Sequence, residues 1–227
     1  SGANIINNSG EITVSGSGGN KNGIWSTENT GTVTITNSGT ISTIDRYGWG
    51  IASYNNSRTN TITNSGTITT SGNDGTGISS SEDANATITN SGTIRTSGSL
   101  SYGILSEYIS GIDTITNSGT ITTSGTSGYG IYLNDKQGGT LYSGTSTSSN
   151  SGAISTSGTS GHGIYSKNNS GTSTITNSGT ITTRGTSAYG IESLSNSGTS
   201  TIINSGTITA SGQYGHGMYS KSQASGG

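Results

Sequence analysis

The residues of this chain that could perform chemistry are few and widely spaced. The chain has two histidines, His162 and His216, ten acidic residues and no cysteine. A nucleophile activated by a base, or a metal site, needs such side chains within a few ångströms of one another. Cleavage of a polysaccharide similarly needs a fixed pair of carboxylates. We find no such constellation, and we predict no catalytic residue, no metal site, no cofactor and no enzymatic activity.

Five carboxylates recur at similar points of the chain: Glu28, Glu82, Asp83, Glu107 and Asp135. Two interpretations are open. They could form an acidic ridge that binds Ca²⁺ weakly, because Ca²⁺ prefers several oxygen ligands. The simpler interpretation is that they are solvated charges in loops, since Lys136, Lys167 and Lys221 occupy corresponding loops and would weaken such a ridge.

A repeat that runs through the whole chain has to position these residues. The tripeptide Asn-Ser-Gly recurs at intervals of 26 to 33 residues, and a fixed period of this size predicts a solenoid. Its Gly allows a left-handed backbone, and its Asn can hydrogen-bond nearby backbone, so each copy predicts a turn. Identical amides stacked from coil to coil can bond into a ladder. We predict this turn ladder at Asn37, Asn64, Asn90, Asn117, Asn150, Asn177 and Asn204.

Each repeat also carries three apolar positions, and almost all of them are isoleucine. The neighbours of each Ile are polar, as in Thr61-Ile62-Thr63, which is the alternation of a strand with one buried face. Thr and Ile both favour strands because they are β-branched. The predicted core columns in the middle of the chain are Ile35, Ile41, Ile51, Ile62, Ile68, Ile78, Ile88, Ile94, Ile104, Ile115, Ile121 and Ile131.

Three short strands per repeat, separated by Gly-rich turns, describe one coil of a β-helix. We predict an all-β fold, a single parallel β-helix (β-solenoid) of about eight coils, each with about 27 residues and three strands. A right-handed course is the general preference of parallel connections. Residues 1–227 form one domain, which we expect to be a segment of a longer rod because no capping repeat is visible.

One repeat is longer than the others. Residues 134–149 predict a loop excursion, after which Ser148 stands where the other repeats have Ile. We expect a locally weakened first strand at this point, with Leu141 and Tyr142 covering the gap.

Threonines flank the isoleucines of the first two strands and predict a flat, regular outer surface. Such Thr-x-Thr arrays resemble the ice-binding faces of insect antifreeze proteins. The strand propensity of Thr explains the same pattern without ice. Arg95, Glu11, Ala153 and Ile203 interrupt the array. The candidate ice-binding residues are Thr61, Thr63, Thr67, Thr69, Thr114, Thr116, Thr120 and Thr122.

Aromatic residues cluster around the third strand of each repeat. One set precedes the Gly-Ile pair: Trp49, Tyr102, Tyr129, His162, Tyr189 and His216. A second set directly follows the Ile and is predicted to point outward as a partner-binding stripe: Trp25, Tyr132, Tyr165 and Tyr219. The alternative is that these rings stack on one another and stabilise neighbouring coils.

Composition excludes some partners. The net charge is -2 and the basic residues form no stripe, so we expect no nucleic acid. No apolar run approaches the length of about 20 residues that spans a bilayer, so we expect no direct membrane insertion.

The recurring Ile-Thr-Asn-Ser-Gly-Thr-Ile, as at residues 115–121, is followed by Gly-Tyr-Gly-Ile at residues 128–131. This pattern resembles the passenger regions of bacterial autotransporter (type V secreted) adhesins. The resemblance covers nearly the whole chain and implies a right-handed parallel β-helix displayed on a Gram-negative cell surface. It carries no catalytic motif, so it transfers no site residue.

We therefore expect an extracellular structural or adhesive rod at the bacterial cell surface. Its loops and aromatic face would contact glycans or proteins on a host or neighbouring cell, or other copies of the chain. An ice-binding β-solenoid is the first alternative. A subunit of an extracellular filament that self-associates end to end is the second.

Overall fold

The computed structural model describes residues 2–16, 21–134, 136–137, 140–141, 144–169, 171–195 and 198–222. Within these ranges all regular structure is strand, and no helix is long and apolar enough to cross a membrane. Three parallel sheets of eight strands each, here called sheets A, B and C, hold nearly all the strands. The predicted all-β solenoid with three strands per coil is confirmed. The handedness of the coil stays a prediction.

Each coil contributes one strand to each sheet. Sheet A consists of Asn4–Asn8, Val33–Asn37, Thr59–Asn64, Asn85–Asn90, Ile112–Asn117, Thr145–Asn150, Thr172–Asn177 and Thr199–Asn204. Sheet B consists of Glu11–Val14, Thr40–Thr43, Thr67–Thr70, Thr93–Thr96, Thr120–Thr123, Ala153–Thr156, Thr180–Thr183 and Thr207–Ala210. Sheet C consists of Ile24–Thr27, Ile51–Tyr54, Ile78–Ser81, Ile104–Glu107, Ile131–Asn134, Ile164–Asn169, Ile191–Ser195 and Met218–Ser222.

Successive coils pair with equivalent residues opposite one another. Ile41 lies opposite Ile68 in sheet B, and Ile51 lies opposite Ile78 in sheet C. The spacing between paired strands is about 4.8 Å, so each equivalent position becomes a column parallel to the solenoid axis. The sequence repeat is thereby converted into a spatial repeat on every face.

Three columns of isoleucine fill the interior. All twelve of the predicted core residues, from Ile35 to Ile131, are fully buried. Each contributes about 1.5–3 kcal/mol through removal of its apolar surface from water. The first and last coils have a neighbour on one side only, and their isoleucines are therefore partly buried: Ile6, Ile12, Ile202 and Ile208.

The corner between sheets A and B is held by a continuous ladder of asparagine amides. Asn37 Nδ2 donates to Asn64 Oδ1 at 2.7 Å and also to the carbonyl of Gly39 at 3.3 Å. Bonds of 2.7–2.8 Å link the whole series of Asn8, Asn37, Asn64, Asn90, Asn117, Asn150, Asn177 and Asn204. Each buried amide thus satisfies the next one, which removes the cost of burying it.

The corner between sheets B and C depends on threonine and glycine. Thr123 Oγ1 donates to the carbonyl of Gly128 at 2.8 Å and closes the turn that leads into sheet C. Within that turn Ser127 has a left-handed backbone, with φ of 52°. A Cβ atom on Gly130 would overlap Ile154 of the next coil, so only glycine allows the coils to stack this closely.

The long repeat differs from expectation in one respect. Within the predicted excursion, Lys136–Gln137 pairs antiparallel with Thr140–Leu141. The strand Thr145–Asn150 that follows is not weakened, because all six of its residues pair with the preceding coil. The proposed cover by Leu141 and Tyr142 lies outside the described side chains.

Leu133 and Ser148 depart together from the pattern of the other coils. In the six other coil-to-coil connections, an inward Ser in sheet C is followed by an inward Ile in sheet A. Here the two types are exchanged: Leu133 lies opposite Ser106, and Ser148 lies opposite Ile115. Both side chains are fully buried. We infer that Leu133 fills the volume that a small residue at position 148 leaves empty.

This exchange predicts strong coupling between the two positions. Leu133→Ser should cost about 2–4 kcal/mol of unfolding free energy by opening a cavity. Ser148→Ile alone should cost about 1–3 kcal/mol by overpacking. The double variant restores the pattern of the other coils and should unfold within about 1 kcal/mol of the wild type in chemical denaturation. If the two single effects simply add in the double variant, the proposed exchange is wrong.

Candidate functional site

The three faces of the solenoid differ in chemistry. Sheets A and B present threonine, whereas sheet C presents aromatic rings. The candidate ice-binding threonines all lie at outward positions of sheets A and B, half-buried except for the exposed Thr120: Thr61, Thr63, Thr67, Thr69, Thr114, Thr116, Thr120 and Thr122.

Sheet A carries the more regular of the two threonine surfaces. One outward column has Thr in seven successive coils: Thr34, Thr61, Thr87, Thr114, Thr147, Thr174 and Thr201. The interruptions Glu11, Arg95 and Ala153 all lie in sheet B, and Ile203 interrupts a second column of sheet A. The pairing register of the strands therefore shows that the threonine surface of sheet A is more regular than that of sheet B, although the two look equivalent in the sequence.

Sheet C carries two adjacent columns of rings. Tyr129, in the first column, stacks on Tyr102 with ring centroids 5.2 Å apart. Tyr132 and Tyr165, in the second column, stack at 5.3 Å with planes only 7° apart. Tyr129 also meets both second-column rings nearly edge-on, at 79° and 80°. These arrangements suit the charge distribution of aromatic rings and stabilise contacts between coils.

The predicted partner-binding stripe is therefore only partly exposed. Trp25 keeps 45% of its surface accessible. Tyr132 and Tyr219 are half-buried. The expectation of an exposed ring is wrong for Tyr165, which is 9% exposed, because first-column rings pack against it. Burial also raises the pKa of Tyr132 and Tyr165 well above the usual value, so both rings remain neutral.

His162 and Glu192 form a buried pair that sequence reasoning missed. His162 occupies the first column, stacked on Tyr129 at 5.0 Å, and its Nε2 lies 3.1 Å from Glu192 Oε2. The backbone N–H of Tyr189 donates to His162 Nδ1 at 2.9 Å. The neutral imidazole must then carry its proton on Nε2 and donate it to Glu192. The available signal was Glu192 itself, which is the one charged residue in a column of otherwise uncharged residues, between Tyr165 and Tyr219.

Burial shifts the two pKa values in opposite directions. It lowers the pKa of His162 to about 4 and raises the pKa of Glu192 to about 7, although Lys167 opposes the second shift. The Tyr189 N–H supports the first shift, because a protonated Nδ1 would lose its acceptor role. Folding therefore favours neutral His162 and protonated Glu192.

A second polar ladder, also missed, runs beside the corner between sheets C and A. Asn29 Nδ2 donates to Asn56 Oδ1 at 2.7 Å, and Asn56 Nδ2 donates to Asp83 Oδ1 at 2.9 Å. Ser80 and Asn60 donate to the other oxygen of Asp83. The sequence signal is the recurring Ser-x-x-Asn or Ser-x-x-Asp at Ser26, Ser53 and Ser80.

The interpretation of five carboxylates as one acidic ridge is wrong for Asp83, whose side chain is 1% exposed and faces this ladder. Glu28 and Glu82 lie in left-handed turns, each with φ of 55°. Asp135 lies outside the described residues. Among the residues that are described, no three His, Cys, Asp or Glu side chains are grouped so that they could hold a metal ion.

The buried pair predicts opposite pH dependences for two single variants. In Glu192→Gln, His162 is the one member of the pair that can still titrate. Its pKa is about 4 in the folded state and 6.5 in the unfolded state, so the unfolded state binds more protons between these pH values. The free energy of unfolding should therefore fall as the pH decreases from 6.5 to 4. In His162→Tyr, Glu192 is the one member of the pair that can still titrate. Its pKa is about 7 in the folded state and 4.5 in the unfolded state, so the folded state binds more protons and the free energy of unfolding should fall as the pH rises from 4.5 to 7. Urea unfolding at a series of pH values measures both slopes.

The wild type is the control for this pair. Between about pH 4.5 and 6.5 its folded and unfolded states each bind one proton at these two sites, so the pair should add no pH dependence. Slopes of the same sign in the two variants would contradict the assignment.

One comparison with known proteins identifies a relationship. The model of a family described as the BigA third pectate lyase-like domain matches residues 108–226, more than half of the chain. No curated protein and no solved structure matches the sequence. The matched part begins just before the sheet A strand Ile112–Asn117 and includes the aromatic columns of the later coils. The chain belongs to the family of the BigA third pectate lyase-like domain.

Proposed function

We propose that this chain is an adhesive segment of a protein displayed on a bacterial cell surface. The solenoid acts as a rigid rod, and the face of sheet C binds glycans or proteins of another cell. Membership of the family, the uninterrupted solenoid and the resemblance of the repeat to adhesin passenger regions support this function. Its mechanism is mechanical and non-catalytic: stacked coils hold a binding face away from the surface that displays it.

The difference between the faces is the observation that carries this proposal. Sheets A and B repeat nearly the same threonines in every coil. Sheet C and its flanking turns vary instead, with Trp25, Tyr47, Leu100 and Tyr214 between 38% and 69% exposed. Aromatic side chains provide large contact areas and are enriched where proteins bind partners.

Several charged groups of the rod are already engaged in internal contacts. Asp83 accepts hydrogen bonds from three neighbours, Glu192 pairs with His162, and Asp74 Oδ2 lies 3.1 Å from Arg46 Nε. Such contacts orient and stabilise the coils. They support a binding role for the face more than an acid–base role.

The absence of cysteine makes each face separately testable, because one introduced thiol is unique. Three single variants in one coil place it beside sheet C, on sheet A and on sheet B: Ser127→Cys, Thr114→Cys and Thr120→Cys. Each would be coupled to a polyethylene glycol maleimide. Beads coated with the products would then be tested for adherence to epithelial cells and to immobilised glycans.

We expect the polymer at position 127 to reduce adherence at least tenfold and the polymer at positions 114 and 120 to leave it within about twofold, because only the first covers the binding face. Uncoupled variants control for the substitutions. Equal loss from all three positions, or adherence of no bead at all, would contradict the proposal.

Ice binding is a second candidate, favoured by the seven-coil threonine column of sheet A. In-register Thr at a spacing of about 4.8 Å makes a flat, half-apolar surface. If this surface orders water, the wild type will show thermal hysteresis and shape ice crystals. Thr114→Lys should then abolish both effects, whereas Ser155→Lys on sheet B should not. No hysteresis in the wild type would mean that the threonines are structural.

A further inference from the structure

The first aromatic column of sheet C has a gap in the third coil. Trp49 and Tyr102 belong to the second and fourth coils, and Thr76 occupies the position between them. Rings in successive coils stack at 5.2 Å, as Tyr102 and Tyr129 do. Thr76 is 2% exposed, so its side chain is covered where it lies between Trp49 and Tyr102. The indole of Trp49 is held in place, since its Nε1 donates to the carbonyl of Asp74 at 3.0 Å.

This gap opens into a cleft of about 350 Å³ on the face of sheet C. The turn before sheet C supplies one wall through Tyr47, Asp74 and Leu100. These three residues have left-handed backbones, with φ between 54° and 58°. That conformation is unfavourable for residues with a Cβ atom, and the equivalent turns of coils five to seven have the small residue Ser. Tyr47 and Leu100 thus place large side chains beside the cleft, and Tyr214 occupies the equivalent turn of the last coil outside it.

The opposite wall carries an oriented carboxylate. Ser81 Oγ donates to Glu107 Oε1 at 3.3 Å, and the side chains of Tyr108 and Asn134 also hydrogen-bond to Glu107. These hydrogen bonds fix the orientation of the carboxyl group of Glu107, which lines the cleft. Asp74 places a second carboxylate across the cleft, where Arg46 balances its charge. Glu82 adds negative potential beside Glu107.

The cleft is an open slot whose lining combines an indole and a phenol with two carboxyl groups, and this combination matches the two kinds of surface of a pyranose ring. The apolar C–H face of a sugar packs on aromatic rings, and its hydroxyls donate to carboxylates. An aromatic side chain of a protein partner would fill the slot but would leave the acceptors without donors. Acidic sugars would be repelled by Glu82 and, above its pKa, which burial raises, by Glu107.

We propose that this cleft, lined by Trp49, Thr76, Tyr102 and Glu107, binds one neutral pyranose unit of a surface glycan. The inference rests on the proposed adhesive function and names the ligand class of its binding face. The proposed ligand also differs from the pectate in the description of the family, because the cleft selects against acidic sugars such as galacturonate. Most of the cleft lies before residue 108, outside the part of the chain that matches the family model.

The test is calorimetric titration of the purified chain with cellotetraose, chitotetraose and mannotetraose, with tetragalacturonate as the charged comparison. Thr76→Tyr fills the gap with a ring, and Trp49→Ala removes one wall. Ser42→Tyr on sheet B and Ile203→Ala on sheet A are controls that add a ring or remove an exposed apolar side chain elsewhere. Thermal unfolding of every variant verifies that the solenoid remains folded.

We expect the wild type and both controls to bind at least one neutral tetrasaccharide at least tenfold more tightly than tetragalacturonate. Thr76→Tyr and Trp49→Ala should each weaken that binding at least tenfold. Equal binding by the folded cleft variants, tighter binding of tetragalacturonate, or no binding of any neutral sugar would overturn the proposal. A tyrosine-containing peptide that binds where no neutral sugar does would assign the slot to a protein partner.

Comparison with the bead assay separates the two proposals. If the polymer at position 127 reduces adherence but the chain binds no neutral sugar, the cleft proposal alone is overturned. Sugar binding in titration, without adherence of the beads, would overturn the adhesive function and leave the cleft assignment standing.

Discussion

Burial of isoleucine between successive coils is the interaction on which the rest of this structure depends. A single coil has one inward Ile per sheet and no second layer to pack against, so its apolar side chains become buried only when another coil stacks on each side. Stacking in register places equivalent residues at about 4.8 Å, and every column follows from that spacing. The exchange that we infer between Leu133 and Ser148 keeps the volume of the core while changing the residue types, as packing favours.

The same spacing decides which polar residues can be buried. An amide both donates and accepts, so identical asparagines satisfy one another without limit along the axis, as from Asn37 to Asn204. The ladder through Asn29 and Asn56 ends on Asp83, whose carboxylate only accepts. Aromatic rings obey the same geometry, because one coil step is close to the stacking distance of two rings.

The repeated residues stabilise every coil in the same way, so we look for function in the residues that depart from the repeat. Threonines of sheets A and B vary little, whereas sheet C and its turns contain nearly every exposed aromatic residue. Thr76 interrupts a column of rings, and Glu192 interrupts a second column beside His162. The first departure lies in the lining of a cleft, and the second places a carboxyl group in a buried hydrogen bond with His162. Each exception is local, and the surrounding columns are stable enough to offset the free energy that it costs.

The sequence by itself determined the coil. The period, the Ile positions and Asn-Ser-Gly were sufficient to predict three strands, the core columns and the corners, because all of these arise from contacts between equivalent residues. The tertiary structure decided which side chains of different columns contact one another. It shows that other rings cover Tyr165, that Glu192 contacts His162, and that Asp83 faces inward. The contacts of Tyr165 with Tyr129 and of Glu192 with His162 join residues whose separation is not the repeat period, and Asp83 also meets Ser80 of its own coil. These contacts depend on side-chain direction, which spacing does not encode.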